Sequence, residues 1–188
     1  MKIEKFFPIT LLFLAGALFA HAQSFTPGED PGSRDLYGPR EGSNEFAIGG
    51  GGASNRDFDD SFGAANFSIG HYFARTQELV IRQSVNYTNP NNAKRSWAGS
   101  TLLAFDQLLL PNGPVRPFIG INAGGVYGDN VRDTWAAGLE GGVKYYVLPR
   151  TFVELAAQYA WYFQKGRDIK DRFDTGNWNW SLGLGFNF

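Results

Sequence analysis

The strongest constraint on this chain is an alternation of apolar and polar residues with a period of two, which begins near Asn44 and continues to the carboxyl terminus. The segment 177–188 shows it most clearly. Its even positions are all tryptophan, leucine or phenylalanine, and its odd positions are asparagine, serine or glycine. Because successive side chains of a β-strand point to opposite faces, this pattern predicts a strand with one wholly apolar face.

The same alternation predicts seven earlier strands, which gives eight in all. Most are long enough to cross a bilayer at a tilt, which takes about 9–11 residues. An even number of strands is what a closed antiparallel barrel requires if both termini lie on the same side. The expected bounds are Asn44–Gly52, Gly63–Phe73, Glu78–Thr88, Trp97–Leu108, Val115–Tyr127, Trp135–Val147, Thr151–Phe163 and Asn177–Phe188.

The connections between the expected strands alternate in length. Three are short: Ala74–Gln77, Gln107–Pro114 and Leu148–Arg150. Short turns at one end and longer loops at the other are typical of outer-membrane barrels. The remaining connections are mostly longer and more charged, and they are Ala53–Phe62, Asn89–Ser96, Gly128–Thr134 and Gln164–Gly176.

A soluble barrel of the lipocalin kind also has eight strands, with its apolar face turned inward around a ligand. Three features favour a membrane barrel instead. The apolar face carries no charged residue on any expected strand, and the opposite face is rich in Gly, Ala, Ser and Asn, which suits a narrow lumen. The third feature is that aromatic residues gather at both strand ends, as they do at bilayer interfaces. Those beside the longer loops are Trp97, Trp135, Trp161, Trp178, Trp180, Tyr87 and Tyr127, and those at the other end are Phe73, Phe105, Tyr145, Phe186 and Phe188.

Composition excludes some classes of function. The net charge of −1 gives no reason to expect nucleic-acid binding. The chain has no cysteine, so disulfides, thiolate metal sites and a cysteine nucleophile are all excluded. No cofactor is implied by any motif.

The amino terminus has the order of features of a secretory signal peptide. Lys2 and Lys5 precede the apolar run Phe6–Ala20, and the small-x-small sequence of residues 20–22 follows it. The run is short for a spanning helix, which needs about 20 apolar residues. We therefore expect a signal peptide over residues 1–22, a flexible leader over Gln23–Ser43, and a barrel over residues 44–188.

Several segments of the barrel region carry a family likeness. They are RPFIG at 116–120, GGVYG at 124–128 and the terminal WSLGLGFNF at 180–188. With the strand number and the loop asymmetry, they make the chain resemble the small eight-stranded outer-membrane barrels of Gram-negative bacteria, of the OmpA transmembrane-domain and OmpX type. The resemblance implies an outer-membrane location among lipids and lipopolysaccharide. It also implies that the barrel assembly machinery reads the final strand, with Phe186 and Phe188 as the signal.

The charged residues of the inward face are the candidate functional residues. Buried charges must be paired or wet, and an eight-stranded barrel is only wide enough for side chains to fill it. We therefore expect a polar plug. Lys144 and Glu154 should pair, because they lie on adjacent strands about three residues from one turn, and Arg82 and Arg116 should flank Asp106. The expected network comprises Arg82, Asp106, Arg116, Glu140, Lys144 and Glu154, with Glu45 and Glu78 also pointing inward.

These observations favour a non-enzymatic barrel that supports the envelope or presents its loops. A narrow channel and a lipid A-modifying enzyme are the alternatives. His71, the only histidine left after signal cleavage, has no serine beside it in the expected register, so no catalytic or metal site is expected. Two loops are expected to be solvated surfaces, although the first could attract cations and the second could touch lipopolysaccharide phosphates. Their charged residues are Asp57, Asp59 and Asp60 in the first loop, and Lys165, Arg167, Asp168, Lys170, Asp171, Arg172 and Asp174 in the last.

Overall fold

Eight β-strands close into one antiparallel barrel, in which every strand pairs with its neighbours in chain order. The computed structural model describes residues 37–54, 61–90, 94–129, 134–163 and 176–188. Among these residues no helix is long and apolar enough to cross a membrane. The strands are β1 (Asn44–Ser54), β2 (Ser61–Ala74), β3 (Gln77–Asn89), β4 (Ser96–Leu108), β5 (Val115–Gly128), β6 (Thr134–Tyr146), β7 (Thr151–Phe163) and β8 (Gly176–Asn187).

The barrel confirms the fold predicted from the alternation. The strand β7 has the bounds that the sequence predicts, and the bounds of the other strands differ from expectation by no more than two residues. Two predictions concern residues outside the described part: the signal peptide over 1–22 and the cation-attracting aspartates Asp57, Asp59 and Asp60. The charged residues of the last loop, 164–175, lie outside it as well.

The two faces of the sheet follow the alternation closely. On β4 and β5, Leu103 and Ile121 are exposed on the outer face, whereas Leu102 and Asn122 are buried in the lumen. No outward-facing position of the described strands carries Asp, Glu, Lys or Arg. An outer surface of this kind avoids the roughly 2–4 kcal/mol that a basic side chain at the bilayer midplane would cost.

Aromatic side chains lie at both ends of this outer surface. At the end with the longer loops (the loop end), Tyr159 makes edge contacts with Trp161 and Trp178, with ring centroids 5.0 and 5.1 Å apart. At the end with the short turns (the short-turn end), Phe73 stacks on Phe105 at 5.8 Å. The most exposed tryptophans are Trp135, Trp178 and Trp180, while Trp97 packs edge-on against Tyr127.

Residues 37–43 cover part of the short-turn end of the barrel. Gly38 N donates to Pro149 O at 3.0 Å, and Gly42 N donates to Tyr72 O at 2.7 Å. Tyr37 packs on a buried cluster of Ala47, Tyr146 and Phe152. These seven residues of the expected leader are therefore packed on the barrel, and the rest of the leader, 23–36, lies outside the described residues.

The barrel closes through a short ladder between its first and last strands. Five residue pairs join them, from Glu45↔Asn187 to Gly49↔Gly183. Beyond the ladder, Asn44 N donates to Phe188 O at 2.7 Å and Phe188 N donates to Asn44 O at 2.9 Å. The last residue of the chain thus extends the closing seam at the short-turn end.

Deleting Phe188 should lower the amount of assembled barrel in cells. The deletion removes two backbone hydrogen bonds from a seam that has few, and it removes the terminal aromatic ring, which stacks on Phe186 at 6.3 Å. Phe188→Asp should act in the same direction, because it places a charge at the apolar rim. The measurement is heat-modifiable mobility, in which a folded barrel migrates differently before and after boiling.

Phe186→Ala is the matched control for this prediction. It removes a ring of the same belt but keeps the backbone contacts of Phe188 with Asn44, so it should reduce assembly less than the deletion. Assembly of the Phe188 deletion at the wild-type level would contradict the role assigned to this residue, although the barrel fold would be unaffected.

Candidate functional site: the lumen of the barrel

The lumen has two unlike halves. Its short-turn half is filled by charged and aromatic side chains, whereas its loop-end half holds a cavity of about 740 Å³. Small residues such as Ala64, Ser100 and Ala136 line much of this cavity, and Arg82 lies at its floor. The candidate site is therefore a vestibule at the loop end above a packed cluster of charged and aromatic side chains at the short-turn end, which we call the plug: Glu45, Tyr72, Glu78, Phe118, Lys144 and Phe152.

Lys144 is the centre of the plug. Its ammonium Nζ donates to Glu45 Oε1 at 2.6 Å, to Glu78 Oε2 at 2.8 Å and to the Tyr72 hydroxyl at 2.8 Å. Tyr72 in turn donates to Glu45 Oε2 at 2.7 Å. All four side chains are fully or almost fully buried, and they come from four different strands. Charge-assisted hydrogen bonds of this length are the strong class, so the cluster ties four parts of the wall together.

Aromatic rings enclose the Lys144 ammonium. It lies 5.1 Å from the ring centroid of Phe152, 5.4 Å from that of Tyr72 and 5.8 Å from that of Phe118. These distances are within the range of cation–π attraction, which desolvation strengthens. The rings fill the space around the ammonium, so charge pairing and packing act on the same group.

Arg82 forms the second charged layer, closer to the vestibule. Its guanidinium lies 2.6 Å from Asp106 Oδ2, 2.9 Å from Glu140 Oε1 and 3.4 Å from Glu154 Oε1. Gly120 lies opposite both Asp106 and Glu140 in the register, and a Cβ at this position would collide with the Asp106 carboxylate. A glycine between the two carboxylates therefore lets them approach one guanidinium.

Neutral amides extend both layers. Asn122 Nδ2 donates to Glu140 Oε2 at 2.5 Å, and Gln158 Nε2 donates to Asn122 Oδ1 at 2.9 Å. At the short-turn end, Asn187 Nδ2 donates to Glu45 Oε2 at 3.1 Å and accepts from the Tyr146 hydroxyl at 2.7 Å. These bonds satisfy part of the acceptor capacity of carboxylates that would otherwise be costly to bury.

The structure brings most of the expected network together, with Arg82 paired to Asp106 and Lys144 paired to Glu154 as predicted, and it adds closer partners for the lysine. Lys144 and Glu154 are directly opposite each other on β6 and β7, and both point inward. Their charged atoms are 3.8 Å apart, which is longer than the contacts of Lys144 with Glu45 and Glu78. The closest partners of this lysine thus come from across the lumen.

Arg116 does not flank Asp106, so this prediction from the sequence is wrong. Its side chain turns toward the short-turn end, where its guanidinium donates to the backbone carbonyls of Tyr37 and Gly113 and lies 5.8 Å from the ring centroid of Tyr146. The physical reason is its place on the strand. Arg116 is the second residue of β5, so the carbonyls at the rim are within closer reach than the centre of the lumen.

One polar cluster lies on the outer surface, where the alternation predicts an apolar face. Gln83 Nε2 donates to the Tyr127 hydroxyl at 2.7 Å, and the Thr101 hydroxyl donates to Gln83 Oε1 at 2.6 Å. Thr101 and Tyr127 are also bonded, at 3.1 Å, so the three side chains form a closed ring of hydrogen bonds. Gly99 makes room, because a Cβ there would collide with the Tyr127 ring. This closed set of hydrogen bonds satisfies the three polar side chains at mid-height on the outer surface.

His71 lies on the outer surface near the short-turn end. It is exposed, and its Nδ1 contacts Asn44 Oδ1 at 2.9 Å. No serine is bonded to it within the described residues. In the same residues, no group of three or more His, Asp or Glu side chains has the arrangement of a metal site.

Replacing Lys144 with methionine should destabilise the barrel strongly. The carboxylates of Glu45 and Glu78 would stay buried and lose their cation, and breaking a buried ion pair from one side costs roughly 3–5 kcal/mol. The measurement is the free energy of unfolding in urea, followed by tryptophan fluorescence of protein in lipid vesicles.

The matched control is a triple variant, Lys144→Met with Glu45→Gln and Glu78→Gln. It removes all three charges at similar volume, so it should recover much of the stability that the single variant loses. A single variant as stable as the wild type would show that Lys144 is not a central contact of the plug.

The barrel is similar to solved structures of small outer-membrane barrels. The N-terminal β-barrel domain of OprF from Pseudomonas aeruginosa is 19% identical with a TM-score of 0.53, covering 79% of this chain and 98% of that one. Neisserial surface protein A is 13% identical with a TM-score of 0.54, covering 78% and 96%. Ail from Yersinia pestis is 13% identical with a TM-score of 0.52, covering 79% and 100%. No protein-family model and no curated protein sequence matches the chain. At these identities the likeness concerns the fold, and it confirms the predicted resemblance to eight-stranded outer-membrane barrels.

Proposed function

We propose that this protein is an integral outer-membrane barrel with a non-enzymatic role, in which it supports the envelope or presents its loops. In this proposal the short-turn end faces the periplasm and the loop end faces the outside, among outer-membrane lipids and lipopolysaccharide. The uncharged outer surface with aromatic residues at both ends supports the membrane placement. The fold shared with solved outer-membrane barrels supports it further.

A lumen closed to ions is the central part of the proposal, and the Lys144 cluster is the observation that carries it. The ammonium is held by Glu45 and Glu78 from two other strands, and aromatic rings fill the space around it. An ion that crossed the barrel would have to displace buried charge pairs. Side chains held in this way form a plug across the narrow interior of an eight-stranded barrel.

Two observations bear on the enzymatic alternative. His71 faces outward and bonds to Asn44, and no serine or carboxylate orients it within the described residues. A nucleophile and base within hydrogen-bond reach are what acyl transfer needs. We expect the lipid A of a deletion strain to match that of the parent by mass spectrometry, and a changed acylation pattern would favour the enzyme instead.

Purified protein in a planar bilayer should show no stable single-channel conductance. The double variant Phe118→Ala with Phe152→Ala removes two rings from around the Lys144 ammonium, so it should give measurable ion flow. Phe186→Ala removes a ring of the outer belt and is the matched control, which should remain silent. Stable conductance of the wild-type barrel that rises with salt concentration would instead favour the narrow channel.

A further inference from the structure

The wall of the barrel is interrupted between its first and last strands. Their ladder stops at Gly49↔Gly183, although both strands continue toward the loop end. In the described residues, β1 beyond Gly49 pairs only with β2, and β8 before Gly183 pairs only with β7. By contrast, the ladder between β6 and β7 continues to Trp135↔Phe163 at the loop end. We call the stretch beyond the end of this ladder, residues 50–52 facing residues 180–182, the slot.

The sequence gives a physical reason for the slot. Residues 49–52 are four consecutive glycines, which have no side chains to pack across a seam. Glycine also weakens a strand because it loses more backbone freedom on ordering than other residues. The ladder therefore ends where cross-strand side-chain pairs, the main stabilising unit of a sheet, are missing.

The slot lies at membrane depth. On the outer face of β8, Phe186 belongs to the belt at the short-turn end and Trp178 to the belt at the loop end. A strand crosses the bilayer in about 9–11 residues, so the stretch from Leu182 to Trp178 corresponds to the half of the hydrocarbon region nearer the loop end. Backbone groups without partners are costly there. Polar groups must reach them from the inside of the barrel.

The vestibule supplies this access, because the cavity and the slot are one space. The lining of the cavity includes inward-facing Gly51 and Ser181 and also Ile48, Leu182 and Trp180, whose side chains belong to the outer face at the seam. A Cβ added at Gly51 would meet no other atom within 4 Å. Within the described residues, the vestibule therefore extends sideways through the seam to the outer face of the barrel.

We propose that the slot and vestibule together bind a small amphiphile with an uncharged head and a single apolar chain. The head would lie in the vestibule, where Ser84, Asn86 and Ser100 offer hydroxyl and amide groups. The chain would pass through the slot beside Leu182 and Trp180 into the outer leaflet. The placement in that leaflet rests on the function proposed above, whereas the lateral opening rests on the strand pairing alone.

The charge of the floor selects the head group. Three carboxylates surround the guanidinium of Arg82, whose side chain is 20% exposed. An anionic head group would be repelled by the carboxylates, which outnumber the single cation, and the guanidinium that could attract it is already paired with them. Hydroxyl groups can donate and accept on the serine and asparagine walls without a charge penalty. Monoacylglycerols have this chemistry, and fatty acids do not.

Photolabelling tests the site directly. The barrel, in phospholipid nanodiscs, is exposed to a monoacylglycerol that carries a diazirine in the chain next to the glycerol, and mass spectrometry then locates the adducts. We expect adducts on inward-facing residues of the seam such as Gly51 and Ser181. Unlabelled monolaurin should compete for them, and laurate should not. Adducts confined to the outer apolar face would overturn the proposal.

The absence of cysteine from the chain allows the slot to be closed reversibly. Continuing the β1–β8 register past Gly49↔Gly183 places Gly51 opposite Ser181, so Gly51→Cys with Ser181→Cys should join the strands on oxidation. Val126→Cys with Thr134→Cys is the matched control, because these residues are opposite each other in the β5–β6 ladder and neither is assigned to the head group. We expect oxidation to abolish inward labelling in the seam variant and to leave it intact in the control. A reductant should restore the lost labelling.

Labelling that persists in the oxidised seam variant would show that the lateral route is wrong. If the two cysteines do not join, Ser181→Trp fills the slot from the inside, and unchanged labelling of that variant would count equally against the proposal. Heat-modifiable mobility verifies that each variant is folded. Conductance in a planar bilayer is recorded in parallel, so that an open plug, which would contradict the proposed function, is distinguished from an empty slot.

Discussion

The need to pair every backbone polar group is the constraint on which this structure depends. A sheet that faces lipid has no water to satisfy its edge, so it must close on itself. In this chain the closing seam is the shortest ladder, five pairs between β1 and β8, together with two hydrogen bonds between Asn44 and Phe188. The terminal strand therefore completes the barrel at the short-turn end, where few other contacts could hold β1 and β8 together if these were lost.

The contents of the lumen compensate for this short seam. Glu45 on β1 binds Lys144 on β6, and Asn187 at the end of β8 donates to the same glutamate. The first and last strands are thus held both by their own ladder and by a shared contact with a buried carboxylate. Five carboxylates share the two cations Lys144 and Arg82 in these layers, so each cation has several carboxylate partners.

The sequence was enough to predict the fold, because the face of a strand depends only on whether a position is odd or even. Parity also placed Lys144, Glu154 and Arg82 in the lumen. It gave the partners on adjacent strands, Glu154 for Lys144 and Asp106 for Arg82. It could not give the partners across the lumen, since these depend on the stagger of strands around the closed barrel and on the reach of long side chains. Glu45 and Lys144 are separated by 99 positions in the chain, and no local pattern relates them. Tyr72 could have been found, because it is an aromatic residue of inward parity near expected charges.

Arg116 and Gln83 show two other limits of a pattern. Arg116 has inward parity, but its flexible side chain turns to the carbonyls of Tyr37 and Gly113 at the rim. Gln83 has outward parity, and at an outward position the alternation of apolar and polar residues predicts an apolar side chain. It is tolerated because Thr101 and Tyr127 from the next two strands complete its hydrogen bonds. Both cases depend on what a side chain can reach, which requires the register of neighbouring strands.

The two halves of the barrel solve the closure problem in different ways. In the short-turn half, complete ladders, buried ion pairs and aromatic packing occur together, and large side chains such as Tyr72, Phe118 and Phe152 fill the interior. In the loop-end half the interior residues are small, a glycine run replaces the packing residues of β1, and the described β1–β8 ladder does not extend past Gly49↔Gly183. The lack of large side chains therefore creates the cavity, and at the same height the ladder between β1 and β8 ends. In the proposed function and lipid site, the barrel is closed along its axis and still offers a lateral opening, because axial closure depends on side chains and lateral closure depends on the backbone ladder.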